Sequence, residues 1–223
     1  EIFIQMKKIL FLILALFAIH SIKGQTSFNS SLFNFQSGLS PKREVRAVWL
    51  TTIGGLDWPH SYAQSPTSIT KQKKELQIIL DQLKSAGINT VLFQTRIRGT
   101  VVYPSDYEPW DGCLSGVPNK SPGYDALEFA IEECHKRGME IQAWIVTIPI
   151  GKWDQAGCKN LRNRYPSLVK KIGEEGFMDM ENPLTAQYLA NICGEITNKY
   201  DIDGIHLDYI RYPETWNIKV SRE

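Results

Sequence analysis

Cysteine is scarce in this sequence: four residues in 223, at Cys113, Cys134, Cys158 and Cys193. Their spacings match neither a CxxC pair nor a zinc-ligand pattern, so no metal or redox centre is expected from them. Cys134 and Cys193 fall on apolar positions of predicted helices and read as buried free thiols. Glycine-rich phosphate motifs are missing as well. After the first predicted strand, "TTIGGLDWPH" offers a Gly pair but no GxGxxG and no P-loop. No GxSxG elbow and no HExxH occur, which removes the commonest serine-hydrolase and zinc-protease readings. An excess of charge of one sign is lacking too. With 25 Lys and Arg against 24 Asp and Glu, the net charge of +1 gives no global attraction to nucleic acid or to an anionic membrane surface. There is no long run of like charge, no low-complexity segment and no short solenoid repeat. No cofactor is expected.

What is there begins with a core: 43% of residues are hydrophobic and 11% aromatic, the composition of an ordinary globular protein. The N-terminus stands apart. From Met6 the chain reads "MKKILFLILALFAIHSIKG", a lysine pair followed by an apolar run from Ile9 to Ile19 and then small and polar residues. That order predicts a secretory signal peptide over 6–24, and the run is short for a membrane span. Residues 1–5 read as an upstream extension, and the Ser/Asn-rich stretch 25–42 as a linker. No cysteine follows the apolar run, so no stable membrane anchor is expected after cleavage. The expected location is the periplasm or the cell exterior, in association with the envelope, where disulfides are permitted.

Residues 43–223 carry the folded domain. "EVRAVWLTT", "INTVLFQTRI", "MEIQAWIVTI" and "IDGIHLDYI" read as four strands. Between them lie three helical patterns. Leu76, Ile79, Leu80 and Leu83 mark the first, Leu127, Ala130, Ile131 and Cys134 the second, and Asn182-Pro183 opens the third. The order β-α-β-α-β-α-β, with near-continuous apolar strands, predicts an α/β fold with a parallel sheet. Long loops rich in Trp, Tyr, Pro, Gly and Asp follow strands one to three, which places the decorated face at the strands' C-terminal ends. Polar residues at strand tops favour the N-terminal half of a (β/α)8 TIM barrel, four βα steps of eight. The chain therefore reads as the truncated front of a larger domain; a half-barrel that dimerises is the alternative.

Two clusters are candidates for chemistry. In "DGIHLDYIRYP", strand alternation puts His206 and Asp208 on one face, pointing to the barrel axis. Tyr209 and Arg211 follow at the rim, with Glu214 beyond. In "RIRGTVVYPSDYEPWDG", Arg96, Tyr103, Glu108 and Trp110 crowd one loop, and Gln94 and Arg96 are expected to share the inner face. Aromatic rings stack on the apolar face of a pyranose while charged groups bind its hydroxyls, so the pattern suits a sugar. Trp58, in "LDWP", repeats it after strand one. Glycoside hydrolysis needs two carboxyl groups about 5 to 9.5 Å apart. Asp208 is the first candidate, and Glu108, Glu214 or a residue in the second half of the barrel the other. The substrate-binding candidates are Trp58, Arg96, Tyr103, Trp110, His206, Tyr209 and Arg211.

Three blocks in order, "REVRAVWLTTIGGLDWP", "FQTRIRGTVVYPSDYEPW" and "YDIDGIHLDYIRYP", resemble the glycosyl-hydrolase-like family 10 domain. The resemblance implies an exported bacterial TIM-barrel protein acting on glycan chains, with peptide-stripped peptidoglycan strands as the implied substrate. It implies a catalytic role for Asp208 and a place at the substrate site for Arg96, Tyr103, Glu108 and Trp110. Strand three departs from the family, since "AWIVTIPIG" stands where an "AWxNPY" stretch is common. The expectation is thus an exported glycoside hydrolase, inactive or incomplete as this stretch alone. The alternatives are a non-catalytic carbohydrate-binding barrel and a structural envelope protein.

Overall fold

The computed structural model describes residues 44–213. The leader and linker readings and Glu214 fall outside this range. In chain order come β1 (Ala47–Leu50), α1 (Pro66–Ser85), β2 (Thr90–Arg96), a short α2 (Gly112–Ser115), α3 (Ala126–Lys136), β3 (Glu140–Val146), β4 (Pro149–Lys152), α4 (Ala156–Arg164), β5 (Val169–Ile172), β6 (Glu175–Met178), α5 (Pro183–Lys199) and β7 (Gly204–Asp208).

The helices begin where local chemistry supplies caps. Ser65 and Ser68 form a reciprocal capping box, with Pro66 as the first residue of α1. Asp125 accepts from the amides of Leu127 and Glu128 to start α3, and Asn182 accepts from Leu184 to start α5. Gly87 ends the first crossover at φ +82°, a left-handed conformation that favours glycine.

β1, β2, β3 and β7 pair in parallel in that spatial order. Each crossover advances the chain by one strand in the same direction. That is the order of the first four strands of a (β/α)8 barrel; a doubly wound sheet reverses at a switch point. Val91, Phe93, Ile141, Ala143 and Ile145 on the sheet's outer face are buried in one core with Leu76, Leu80, Leu127, Ile131, Ile192 and Ile196 of the helices. Burying such side chains stabilises the fold by about 1.5–3 kcal/mol each. On the inner face the register aligns Gln94, Trp144 and His206 in one row, with Val146 and Asp208 in the next.

One expectation fails here. Gln94 and Arg96 do not share a face. The β2–β3 register passes from Gln94 opposite Trp144 to Arg96 opposite Ile145, so Thr95 is an extra residue. A bulge of one residue reverses the alternation beyond it, and Arg96 joins Ile145 on the outer side.

A second sheet was not legible as structure. β4, β6 and β5 pair antiparallel in that order, between β3 and α5. Gly173-Glu174 forms the two-residue turn of its β5–β6 hairpin, with Gly173 at φ +61°. α4 in this insertion presses on the loop after β2. A Cβ at Gly157 would lie 2.3 Å from the Arg98 carbonyl oxygen, so only glycine allows the approach.

Candidate functional site

A cleft of about 470 Å³ opens at the C-terminal ends of the parallel strands. Thr51, just past the end of β1, forms its floor with Gln94 of β2 and Trp144 and Val146 of β3, while Arg98, Glu175, Tyr209 and Arg211 come from the loops and the second sheet. A second cleft of about 460 Å³, with Tyr62, Trp110, Asp111 and Gln155, shares Ile53, Ile97 and Arg98 with the first. The two clefts therefore meet at Arg98. The Arg98 side chain is exposed and has no hydrogen-bond or ion-pair partner among the described residues.

The floor is built by buried polar contacts. The Gln94 side-chain oxygen Oε1 accepts from Thr51 Oγ1 at 2.6 Å and from the amides of Thr52 and Ile53 at 2.9 Å each. It thereby clamps the turn that follows β1. Asp57 holds the same turn by accepting from the Thr51 amide at 2.8 Å.

Asp208, at the tip of β7, lies on the inner face. The Trp144 indole donates to its Oδ2 at 3.0 Å and the Tyr209 amide to its Oδ1 at 2.7 Å. Tyr209 has φ +52°, uncommon for a residue with a side chain. This turn brings the amide of Tyr209 back onto the carboxylate and leaves the tyrosine ring exposed, with the Arg211 guanidinium 5.4 Å from its centre. His206 sits one row deeper. Its Nε2 accepts from the Trp49 indole at 3.3 Å, and the two rings meet edge to face at 5.8 Å.

Of the residues that sequence proposes for the site, Asp208, His206, Tyr209 and Arg211 are thus placed on the inner face or the rim, and Trp110 lines the second cleft. Four are placed elsewhere. Arg96 and Glu108 form a bidentate ion pair, Nε to Oε2 at 2.8 Å and Nη2 to Oε1 at 2.7 Å, with both side chains wholly buried. The Tyr188 hydroxyl of α5 donates to the same carboxylate at 3.1 Å. Burial alone would lower the Arg96 pKa, but Glu108 beside it more than compensates and the net shift is upward. Glu108 therefore opens to no cleft and is not available as the catalytic carboxylate, and Arg96 does not face a substrate. The Tyr103 hydroxyl donates to Glu195 at 2.8 Å, inside the core. Burial, and then the Glu195 charge, push that hydroxyl's pKa up, so it remains a donor. Trp58 is also fully buried, its indole donating to the Gln72 carbonyl at 3.0 Å. The physical reason is common to all four: a loop folded over the top of a sheet needs its own core, and large side chains supply it.

Thr51, Trp144, Glu175 and Phe177 line the cleft without having been singled out for it. Alternation on β3 from Trp144 was readable; Glu175 depends on a hairpin that the apolar pattern did not reveal. The described cysteines are all free thiols. Burial pushes Cys134 up to about 12, so it is held as a neutral thiol. Among the described residues, no cluster of three or more His, Cys, Asp or Glu is placed to hold a metal ion, and no helix is long and apolar enough to cross a membrane.

The family model described as "Glycosyl hydrolase-like 10" matches residues 44–220. The chain belongs to this family. It is 32% identical over 183 residues to "Glycosyl hydrolase YngK" of Bacillus subtilis (strain 168), covering 80% of this chain and 35% of that protein. It is 30% identical over 187 residues to "Glycosyl hydrolase DigH" of Escherichia coli (strain K12), covering 77% of this chain and 43% of that protein. The chain thus spans well under half the length of these curated relatives. Among solved structures it is similar to a noncanonic maltogenic α-amylase, AmyB, from Thermotoga neapolitana, with 15% identity, a TM-score of 0.49 and coverage of 79% of this chain and 41% of that one.

Proposed function

We propose that this chain is the front half of an exported glycoside hydrolase that cleaves a polysaccharide, with the glycan strands of peptidoglycan as substrate. The observation that carries the reading is Asp208. Its carboxylate stands at a strand top on the barrel's inner face, oriented by N–H donors from Trp144 and Tyr209, two residues that themselves line an open cleft with arginine walls. Both contacts are donors, which an ionised carboxylate accepts. The role that fits is nucleophile or base, with a second carboxyl as acid. Glu175 on the cleft wall joins Glu214 as a candidate for that partner, since Glu108 is already engaged by Arg96. Trp144 and Tyr209 offer faces for a sugar ring, and Arg98 offers unpaired donors where the two clefts meet. Two contiguous clefts suit a chain of sugars better than a single one. The names of the curated relatives, both glycosyl hydrolases, support the same reading, and the signal-like segment 6–24 supports export.

The test is Asp208→Asn in the full-length protein, with purified glycan strands as substrate. The expected result is loss of hydrolysis with glycan binding retained. Unchanged turnover removes Asp208 from the mechanism, and absence of both binding and hydrolysis in the native protein refutes the reading as a whole.

A further inference from the structure

We infer that Arg96, buried on the outer side of the sheet, is a positioning residue that fixes the Asp208 carboxylate at the cleft. The inference rests on the proposed role of Asp208, and it comes from where the guanidinium's remaining donors go. One edge of Arg96 is taken by Glu108. Its Nη1 donates to the carbonyl of Val146 and, at 2.9 Å, to that of Thr147. These are the carbonyls at the C-terminal end of β3. Beyond the bulge β2 no longer accompanies β3, because Ile97 turns away and donates to the Thr100 carbonyl. The guanidinium supplies the donors that a continuing strand would have supplied.

Thr147 passes the constraint on. Its amide donates to the Asp208 carbonyl at 2.9 Å and its hydroxyl donates to the same oxygen at 2.7 Å. Trp144, three residues back on the same strand end, donates to the Asp208 side chain. A continuous set of hydrogen bonds therefore runs from Tyr188 on α5, through Glu108 and Arg96 and the strand end at Thr147, to the main-chain carbonyl of Asp208, and the same strand end carries Trp144, whose indole holds the carboxylate. Thr147 and Arg96 are fully buried, so solvent does not compete for these contacts. Stability alone is a weak reason to retain such a pair, since buried ion pairs replaced by apolar residues of similar volume are often neutral or better. Only the planar fork of arginine reaches a carboxylate and two carbonyls at once. A catalytic carboxylate must be held to within about 0.5 Å of its working position, and a misplacement of about 1 Å costs on the order of 100-fold in rate.

The experiment uses the full-length protein. The paired variant Arg96→Met with Glu108→Met removes both charges without stranding either. With glycan strands as substrate, kcat is expected to fall about 100-fold while KM stays within about twofold. The second readout is the Trp144 indole N–H resonance in ¹⁵N-labelled protein. It should move toward its position in Asp208→Ala, while the Trp58 indole resonance, whose partner is the Gln72 carbonyl, stays in place. Arg96→Lys should recover part of kcat at most. A folded paired variant with native kcat and a native Trp144 resonance overturns the inference. Should the paired variant fail to fold, Thr147→Val, which deletes only the hydroxyl to Asp208, carries the test. It should lower kcat about fivefold and shift the Trp144 resonance; native values for both overturn the inference. If Asp208→Asn leaves hydrolysis intact, the proposed function fails, and the Trp144 resonance still judges the network alone.

Discussion

Glu195 shows how one buried carboxylate organises a loop. It accepts from the Tyr103 hydroxyl at 2.8 Å, the Ser105 hydroxyl at 2.6 Å and the Asp106 amide at 2.7 Å, with Lys199 at 3.0 Å. Three of these donors lie about ninety positions earlier, in the loop after β2, so α5 pins that loop in place. Burial pushes the Glu195 pKa up, but its donors outweigh burial and the net shift is below the ordinary value of 4.5. A depressed folded-state pKa means that the unfolded chain takes up the proton first as pH falls. The stabilisation is therefore fully present above about pH 4.5 and is lost as pH drops through the lower folded value. Melting curves between pH 3 and 7 should show Glu195→Gln less stable than the native chain above that point, with the gap narrowing below it. A constant gap would mean that the carboxylate's charge is not what stabilises the loop. A related residue-scale expectation concerns Glu108→Ala, which strands the buried Arg96 guanidinium. It should cost about 3–5 kcal/mol of stability, read by denaturant unfolding; a cost under about 1 kcal/mol would show that Arg96 finds water or another partner.

At the scale of elements, the three helices that connect the parallel strands were legible because their signals are local, whereas the short α2 and α4 of the long loops were not read. Apolar positions at helical spacing, the capping residues Ser65, Asp125 and Asn182, and the following glycines lie within a few residues of one another. The strands of the parallel sheet were legible as apolar runs, and alternation correctly put His206 and Asp208 on one face. Alternation misplaced Arg96 because a one-residue bulge is a property of two strands together, invisible in either alone. The fates of Tyr103 and Trp58 were hidden for a similar reason: an aromatic that caps a core and an aromatic that stacks on a sugar look alike until the fold decides which side solvent is on. The second sheet was missed because its strands are only four residues long and partly polar. Local signals also give a local prediction. Asp125 caps α3 through two amides and additionally accepts from the Tyr200 hydroxyl at 2.6 Å, joining that cap to the C-terminal end of α5. Asp125→Ala should destabilise by about 1 kcal/mol for the cap, with more for the stranded hydroxyl. Asp125→Asn should recover most of it; equal losses in the two variants would show that the charge, not the cap, matters.

At the scale of the whole molecule, the parallel sheet has two unfinished sides. Among the described residues, β1 and β7 each pair with one neighbour only. A closed barrel leaves no such edges, whereas an open one presents unpaired amides and carbonyls to any other strand. The side chains at these edges are correspondingly bare. Trp49 on β1 is 56% exposed, and Leu207 on β7 and Ile210 just past it are 44% and 60% exposed. By register Leu207 shares the outer face with Ile145, which is fully buried under helices, so the same kind of residue lies covered on one strand and bare on the next. Residues 44–213 produced alone should therefore self-associate. Sedimentation velocity should show a weight-average size that rises with concentration, and Leu207→Lys on the open edge should reduce it by placing a charge where a partner strand would pack. If the chain is the front half of a barrel, as proposed, the same substitution in the full-length protein should instead destabilise, because further β/α units would cover that face. A sharp, concentration-independent monomer of residues 44–213 with a cooperative melt would contradict this, and would mean that the half-sheet closes on itself through the Trp49–His206 contact across its inner face.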